Sequence, residues 1–542
     1  MVTTQHKGEN MLEYNKIVSV EIAIKNSIRD GDTIVTEGFV GNGFPEYIAV
    51  TMENIFLNEN TLKDLTFVYA AGQGDGKHRG MNHFAHKGMV KRIIGGHTGL
   101  APKLGKMAID NEIEAYNFPQ GCVAHLFRSI ASKSPGIFTK TGLKTFVDPR
   151  IEGGKVNEKT KEDLVELVEF DGEEYLRFKP FPINAAIIRG TTADTKGNIT
   201  MEKECLFIDS RSAAMAAKAS GGKVIVQVER IAESGSLNAK DVVIPGILVD
   251  YIVVCPIDHP EWHMQTYQTQ YNPCYSTEIK IPSLSIPTMS LCANKVIGRR
   301  GVIELSQNAV GNLGIGVPEA VPKVAAEENI LDWITFTVEP GPIGGIPAGE
   351  LDFGATLNME ALIHQPEMFD FYDGGGLDIT YLGLAQIDRK GNNNVSRFGS
   401  TWPGCGGFIN ISQNAKKVIF MGAFTAGGLK TNIENGKLII EQEGSIKKFI
   451  NEVQQITFSG DLANQTNSYV LYITERAVFK LTQEGLQLIE IAPGIDLEKH
   501  ILNQMEFEPI MNGTIELMDD RFFRPEPVGL RKIIKTRGKY NE

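Results

Sequence analysis

The chain has 542 residues, 42% hydrophobic and 22% charged, a globular composition that excludes a disordered or fibrous protein. With 54 Lys+Arg against 66 Asp+Glu the formal charge is −12, so there is no dominant basic surface to hold nucleic acid by counterion release. Glycine is in excess: 56 residues, about 10% against an average of about 7%, which points to many tight turns and close backbone approaches to ligand.

Val20, Ala23, Ile24, Ser27 and Ile28 fall at helical spacing, and Gly31-Asp32 ends that helix. A β-prone Thr33–Thr36 follows, then the loop Gly41-Asn42-Gly43-Phe44-Pro45-Glu46, with Pro45 suited to the start of a second helix and Glu46 to its first turn. Phe67–Tyr69 and Val224–Val228 read as short buried strands, as do Phe336–Val338 and Val418–Met421 further on. Strands alternating with helices predict an α/β protein with mainly parallel sheets. A charged stretch at 152–178 reads as a surface excursion. Residues 243–294, rich in Pro (Pro256, Pro260, Pro273, Pro282, Pro287) and Tyr, read as an ordered crossover, since Trp262, Tyr267, Tyr271 and Tyr275 are too apolar for a free tether.

A division by about 150 residues per domain suggests three or four units, but an internal repeat gives a different count. Gly41-Asn-Gly43-Phe-Pro45-Glu46 returns as Gly314-Ile-Gly316-Val-Pro318-Glu319, an offset of 273 (314 minus 41). Thr66-Phe-Val-Tyr-Ala70-Ala-Gly72 returns as Thr335-Phe-Thr-Val-Glu339-Pro-Gly341 at 269 (341 minus 72). Asp194-Thr-Lys-Gly-Asn198 returns as Asp388-Arg-Lys-Gly-Asn392, and Lys223-Val-Ile225 as Lys417-Val-Ile419, both at 194 (388 minus 194). Four matches in one order predict a duplicated α/β lobe, with about 75 extra residues (269 minus 194) in the first copy. The expected units are 1–242 (with a surface insertion at about 145–180), a crossover at 243–294, a second lobe at 295–520 and a tail at 521–542.

Both glycine loops stand between strand and helix, where free N–H groups favour anions. Each is either a structural turn or a ligand loop. A dinucleotide fingerprint needs a third glycine where Glu46 and Glu319 stand, which argues against a bound pyrophosphate. The copies differ most tellingly where Ala70 in the first corresponds to Glu339 in the second. Both positions close a buried strand, the edge at which α/β sheets bind ligands. From spacing alone, Glu339 either caps a turn, pairs with an arginine or does chemistry. Gly404-Cys405-Gly406-Gly407-Phe408 is a further close-approach loop, placed to start a helix. His83 and His86 form an HxxH with no third ligand evident, so no metal site is expected. Cys122 and Cys405 have no histidine near them in sequence and read as buried thiols. No apolar run approaches the roughly 18 residues of a membrane span, residues 1–16 lack the apolar core of a signal peptide, and no CxxC occurs among six cysteines. The expectation is a cytoplasmic protein without membrane association.

The ordered set of motifs resembles the family I coenzyme A transferases, closest to their acetate/propionate branch, from about residue 16 to 518. It is carried by Gly38-Phe-Val-Gly-Asn-Gly-Phe-Pro-Glu46, Pro119-Gln120-Gly121, Ile188-Arg-Gly-Thr-Thr-Ala-Asp194, Asn312-Leu-Gly-Ile-Gly-Val-Pro-Glu319, Thr337-Val-Glu339-Pro-Gly-Pro-Ile-Gly-Gly345, Phe369-Asp-Phe-Tyr-Asp-Gly-Gly-Gly376, Gly404-Cys-Gly-Gly407 and Tyr472-Ile-Thr-Glu-Arg476. The resemblance implies two homologous α/β lobes with the active site between them, in the coenzyme A transferase-like fold. It implies Glu339 as nucleophile, in the family's E-x-G-x-x-G-G context. It implies that Gly314, Gly316, Val317, Gly404, Gly406 and Gly407 bind coenzyme A and the thioester oxygen. Gly41, Gly43, Ala70 and Gln120 fall to the substrate pocket, Gln120 near the reacting carbonyl. The ketoacid transferases of the family carry asparagine where this chain has Ala70, which points away from succinate and acetoacetate toward short monocarboxylates. The implied reaction moves coenzyme A between a short acyl-CoA and a carboxylate through a glutamyl-CoA thioester. Coenzyme A is then substrate and no cofactor is expected; the partners are small molecules and further copies of the chain, as a dimer or tetramer. An acyl-CoA hydrolase on the same scaffold, a ketoacid transferase, and a non-catalytic acyl-CoA-binding protein stand as alternatives.

Overall fold

The computed structural model describes residues 15–282 and 288–538. The ends of the two terminal segments (1–14 and 539–542) and residues 283–287 of the crossover, Pro287 among them, lie outside the described residues.

The first lobe is built on seven strands: β1 (Thr33–Thr36), β2 (Leu65–Tyr69), β3 (Val90–Gly95), β4 (Glu114–Asn117), β5 (Ala185–Arg189), β6 (Lys223–Val228) and β7 (Tyr251–Val254). Their order is β7-β6-β5-β1-β2-β3-β4, and every pairing is parallel. A parallel sheet covered on both faces needs near-continuous apolar strands; Ala185-Ala-Ile-Ile188 and Val224-Ile-Val226 supply them, all buried. Helix α1 (Val20–Ser27) starts at Ser19, whose side chain accepts from Ile22 N, and buries the predicted face of Val20, Ala23, Ile24 and Ser27. Helix α2 (Glu46–Glu59) begins directly after Pro45.

The second lobe repeats this plan. Strands β8 (Ala309–Leu313), β9 (Ile334–Thr337), β10 (Ile379–Gly383), β11 (Lys417–Met421) and β12 (Tyr469–Ile473) lie in the order β12-β11-β10-β8-β9, all parallel. That is the order β7-β6-β5-β1-β2, strand for strand. Antiparallel strands then extend both edges, Ala477–Thr482 and Gly485–Ile491 at one and Pro342–Ile343 and Ala361–Leu362 at the other. The sheets are mainly parallel, as expected.

The extra chain in the first copy has a definite use. Residues 70–184 separate β2 from β5, whereas only 338–378 separate β9 from β10. The surplus supplies β3 and β4 and, after helix α3 (Gln120–Ala131), a small antiparallel sheet of Ile137–Thr139, Val165–Phe170 and Glu173–Phe178; a helix at Gln365–Asp373 stands in the corresponding interval of the second copy. Only that last part is the excursion read from charge. The crossover also differs from its sequence reading. Tyr251–Val254 pairs with β6 as an edge strand, so the first sheet reaches into the segment assigned to 243–294. Within its described residues Trp262 stacks on Tyr47 at 5.0 Å between centroids, and Tyr267 donates its hydroxyl to Glu46 at 2.6 Å.

After helices α4 (Ser210–Ala219) and α5 (Ala293–Val302) comes α6 (Gln365–Asp373), and the largest apolar core spans both lobes, joining Phe127 and Cys122 of α3 to Phe369 and Tyr372 of α6. Burying each such ring contributes about 1.5–3 kcal/mol. Gly121 lets the helices meet: a methyl group there would lie 2.6 Å from Phe369 Cδ1. Among the described residues no helix is long and apolar enough to cross a membrane.

Candidate active site

Strand β9 ends at Thr337, and Glu339 follows two residues later, at the C-terminal edge of the sheet where the lobes face each other. The strand end is clamped from below. Tyr372 donates to Thr337 Oγ1 (2.9 Å), Thr337 to Gly311 O (3.0 Å), and Asn312 lies against Tyr372 and Thr337 O. Glu339 is 8% exposed, and its Oε2 has no hydrogen-bond partner. Burial pushes its carboxyl up to about 7, against a smaller opposing pull from its own backbone amide and Asn312.

Glu339 opens onto a cavity of about 600 Å³. The first lobe contributes Phe39, Val40, Gly72, His97, Leu100 and Gln120; the second contributes Gly314, Ile315, Leu351, Phe353, Leu382 and the 404–408 segment. Among the described residues no lysine or arginine lines it, and the ionisable ones that do are Glu339, Glu350, His97 and Cys405. Burial drives His97 down to about 4, so the ring is neutral near pH 7. It fits between two glycines: a methyl at Gly72 would stand 2.6 Å from Nδ1, and one at Gly99 2.7 Å from Cε1. Cys405 is buried and its thiol is pushed up, as is that of Cys122, so neither is a ready thiolate.

The 404–407 loop is sewn to the first lobe by backbone N–H bonds. Thr98 N and Gly99 N donate to Pro403 O, Gly406 N to Gly96 O and Gln120 N to Gly406 O. Cys405 N donates to Asn117 Oδ1 and Gly121 N to Asn410 Oδ1. Gly404 N is likewise engaged, with Ser396 O. Among the described residues Gly407 N is the loop amide that makes no such bond, at the start of α7 (Phe408–Asn414). It also packs against Glu339, for a methyl group there would lie 3.0 Å from Glu339 Cγ and 3.4 Å from Oε1. Among the expected oxyanion donors, Gly404 and Gly406 therefore shape the wall, and the Gly407 N–H is the one left free beside Glu339.

Other expected residues fall elsewhere. Gly314 lines the cavity, but its N–H donates to Tyr381 O; Gly316 donates to Glu319 Oε1 and, like Val317, does not line the cavity. Gly41 and Gly43 do not line it either. Each permits close packing: a methyl at Gly41 would meet Leu351 O at 2.6 Å, and one at Gly43 would meet Ile208 Cδ1 at 2.8 Å. Ala70 is buried and absent from the cavity lining. Glu46 is turned inward, accepting from Tyr267, Gly80 N and His83. His83 and His86 both bond Glu53, so the HxxH pair ties α2 to the chain after β2. His97, Asn312 and Tyr372 carry no spacing signal of their own; Tyr372 lies within the Phe369–Gly376 motif, but nothing in that motif shows its clamp.

A family model described as coenzyme A transferase matches residues 17–255. A caffeate CoA-transferase of Acetobacterium woodii is 44% identical over 524 residues, 96% of this chain and 99% of that one. Acetate CoA-transferase YdiF of Escherichia coli K12 is 42% identical over 515 residues, 95% and 96% of the two chains. The crystal structure of the acyl-CoA transferase YdiF from E. coli O157:H7, as a thioester complex with CoA, superposes with a TM-score of 0.90 at 41% identity, covering 95% of this chain and 97% of that one.

Proposed function

The chain belongs to the coenzyme A transferase family, and from that premise we propose that Glu339 is its nucleophile and that short monocarboxylic acids are its acyl partners. It is a CoA-transferase, acting on acyl-CoA and carboxylate substrates. The observation that carries the assignment of Glu339 is the buried, half-unpartnered carboxylate opening onto the cavity between the lobes.

The chemistry follows from that placement. The Glu339 carboxylate attacks the acyl-CoA carbonyl; the C–S bond breaks, leaving a mixed anhydride and the CoA thiolate. The thiolate then attacks the Glu339 carbonyl, releasing the first acid as its carboxylate and leaving a glutamyl-CoA thioester. An incoming carboxylate reverses both steps and departs as a new acyl-CoA. Each addition builds an oxyanion, and the Gly407 N–H beside Glu339 is the donor assigned to it; one such donor is worth about 2.7–4 kcal/mol. Gln120, which lines the same cavity from the first lobe, is assigned to the reacting carbonyl. Desolvation makes Glu339 a stronger nucleophile once ionised, and the enclosing walls keep water from the anhydride.

Monocarboxylates are favoured because the lining holds no cation for a second carboxylate, and Glu350 would repel one. Acetate and propionate are the reference pair. The cavity volume, together with the caffeate-using relative, supports a second reading, an aromatic acyl group, which competition between acetate and a phenylpropenoate decides. The proposal includes a reaction without added cofactor, tested by activity after exhaustive chelation. It includes a homo-oligomer, tested by light scattering, and a cytoplasmic location, supported by six free cysteines, five of them buried, and tested by fractionation.

The deciding experiment is peptide mass spectrometry after incubation with acetyl-CoA. A CoA thioester on the peptide holding Glu339, discharged by added propionate, is expected. An adduct on another residue, or turnover without one, rejects the assignment.

A further inference from the structure

Gln120 does not stand alone. Its Nε2 donates to Gln365 Oε1 at 2.9 Å, and Gln365 Nε2 donates to Asp209 Oδ2 at 2.7 Å. Gln365 is the first residue of α6 in the second lobe; Asp209 precedes α4 (Ser210–Ala219) in the first. All three side chains are at most 3% exposed, so water does not share these bonds. Gln365 is further fixed by its backbone N–H, which donates to Ile208 O.

Asp209 occupies the N-cap of α4, where an aspartate ordinarily accepts from the helix and adds about 1 kcal/mol. Here its side chain makes no cap bond. It reaches across the lobe boundary to Gln365, and its Oδ1 has no partner. A carboxylate only accepts, whereas a carboxamide has one accepting and one donating end. Asp209 therefore holds the Gln365 N–H₂ toward itself. That points Gln365 Oε1 at Gln120, which must answer with an N–H. One N–H hydrogen and the Oε1 of Gln120 are left to face the cavity. The neighbouring Glu37, 3% exposed and with an unpartnered Oε1, has its carboxyl pushed well up, first by burial and then by Asp209. Burial raises the Asp209 carboxyl as well, to about 7, against the pull of the nearby His125 and of the Gln365 bond; its accepting role rests on the Gln365 Nε2 donation to Oδ2.

We propose that Gln365 and Asp209 are positioning residues for Gln120, a buried relay in which Asp209 sets the direction of the Gln365 amide and Gln365 sets that of Gln120. The proposal rests on the placement of Gln120 beside the reacting carbonyl.

The test is a double-mutant cycle on the full-length enzyme, with kcat, KM for acetyl-CoA and formation of the Glu339 adduct measured for each variant. Gln365→Met should lower kcat about tenfold and leave KM within about twofold, because a misaimed group costs the reaction more than it costs binding. In a Gln120→Ala background the same change should cost nothing further. Asp209→Ala should behave like Gln365→Met, and Asp209→Asn, which keeps an accepting oxygen, should recover most of that loss. The Asp209 pair carries the test should Gln365→Met fail to fold. Full-rate Gln365→Met beside an impaired Gln120→Ala, or losses that multiply in the double variant, would overturn the relay. A Gln120→Ala enzyme with wild-type kcat would overturn the placement of Gln120 itself, and absence of the adduct from the wild type would overturn the nucleophile.

Discussion

The two lobes share one strand order and end their second strands on different residues. After β2 comes Ala70, buried and absent from the cavity lining; after β9 comes Glu339, which lines the cavity and has an unpartnered Oε2. The same architecture thus serves as support in one copy and as reactive wall in the other. The glycine loops diverge in the same way. In the first, Glu46 is locked inward by Tyr267, His83 and Gly80; in the second, Glu319 caps Gly316 at the surface and Gly314 reaches the cavity. Duplication supplied two equivalent edges, and the chemistry needs only one of them to carry charge.

That asymmetry can be broken at its strongest point. Glu339→Gln should lower transfer by at least about 10⁴-fold, as loss of a covalent nucleophile does. Adding Ala70→Glu to that variant should restore nothing, because Ala70 does not face the cavity. Recovery of adduct on residue 70, read by mass spectrometry, would erase the distinction between the lobes.

The next effect sharpens the role of the free amide. Gly407→Ala puts a methyl 3.0 Å from Glu339 Cγ and should lower kcat by about 10- to 100-fold. An alanine at Gly316, which has open space but φ near +90°, should affect stability more than kcat. Steady-state kinetics and thermal melts of both variants check the contrast.

A third effect concerns pH. Glu339 attacks as a carboxylate, so log kcat/KM for acetyl-CoA should rise with pH and level off above about 7. Stability runs the other way. A carboxyl raised from 4.5 to about 7 in the fold is favoured while protonated, and that advantage is lost as pH rises through about 7. Glu339→Gln should therefore melt higher than wild type at pH 8, by up to about 3 kcal/mol of stability, and the gap should close below pH 4.5.

The smallest effect belongs to the silent first loop. Burial lowers the His83 pKa, but Glu46 and Glu53 outweigh it and hold the ring at about 9. Its stabilisation is complete below about 6.5 and fades as pH passes 9. His83→Gln should cost about 1–2 kcal/mol at pH 6.5 and little at pH 10, measured by denaturant unfolding.

Much of this was legible in the residues. Repeat offsets gave the paired lobes, and the Ala70/Glu339 mismatch marked the strand end that matters. The drop from 269 to 194 in offset counted the extra chain but not its destination, because β3 and β4 read like ordinary α/β elements. Gly41 and Gly43 looked like ligand loops, since a glycine spaced for packing against Ile208 or Leu351 has the same signature as one spaced for a ligand. His97 and Gln365 gave no signal: one is a lone histidine between glycines, the other a glutamine before Pro366, and only tertiary structure brings them to the cavity and its wall.

The six N–H bonds that sew the 404–407 loop and the start of α7 to the first lobe set a limit on motion. Parting the lobes along that seam would break them together, at a cost no single small substrate repays. With that seam closed, acids would reach Glu339 past the exposed Ile315 and Glu350, both of which line the cavity. Traffic is governed by the shape of that route, and turnover should be insensitive to crowding or viscosity agents that slow large domain movements.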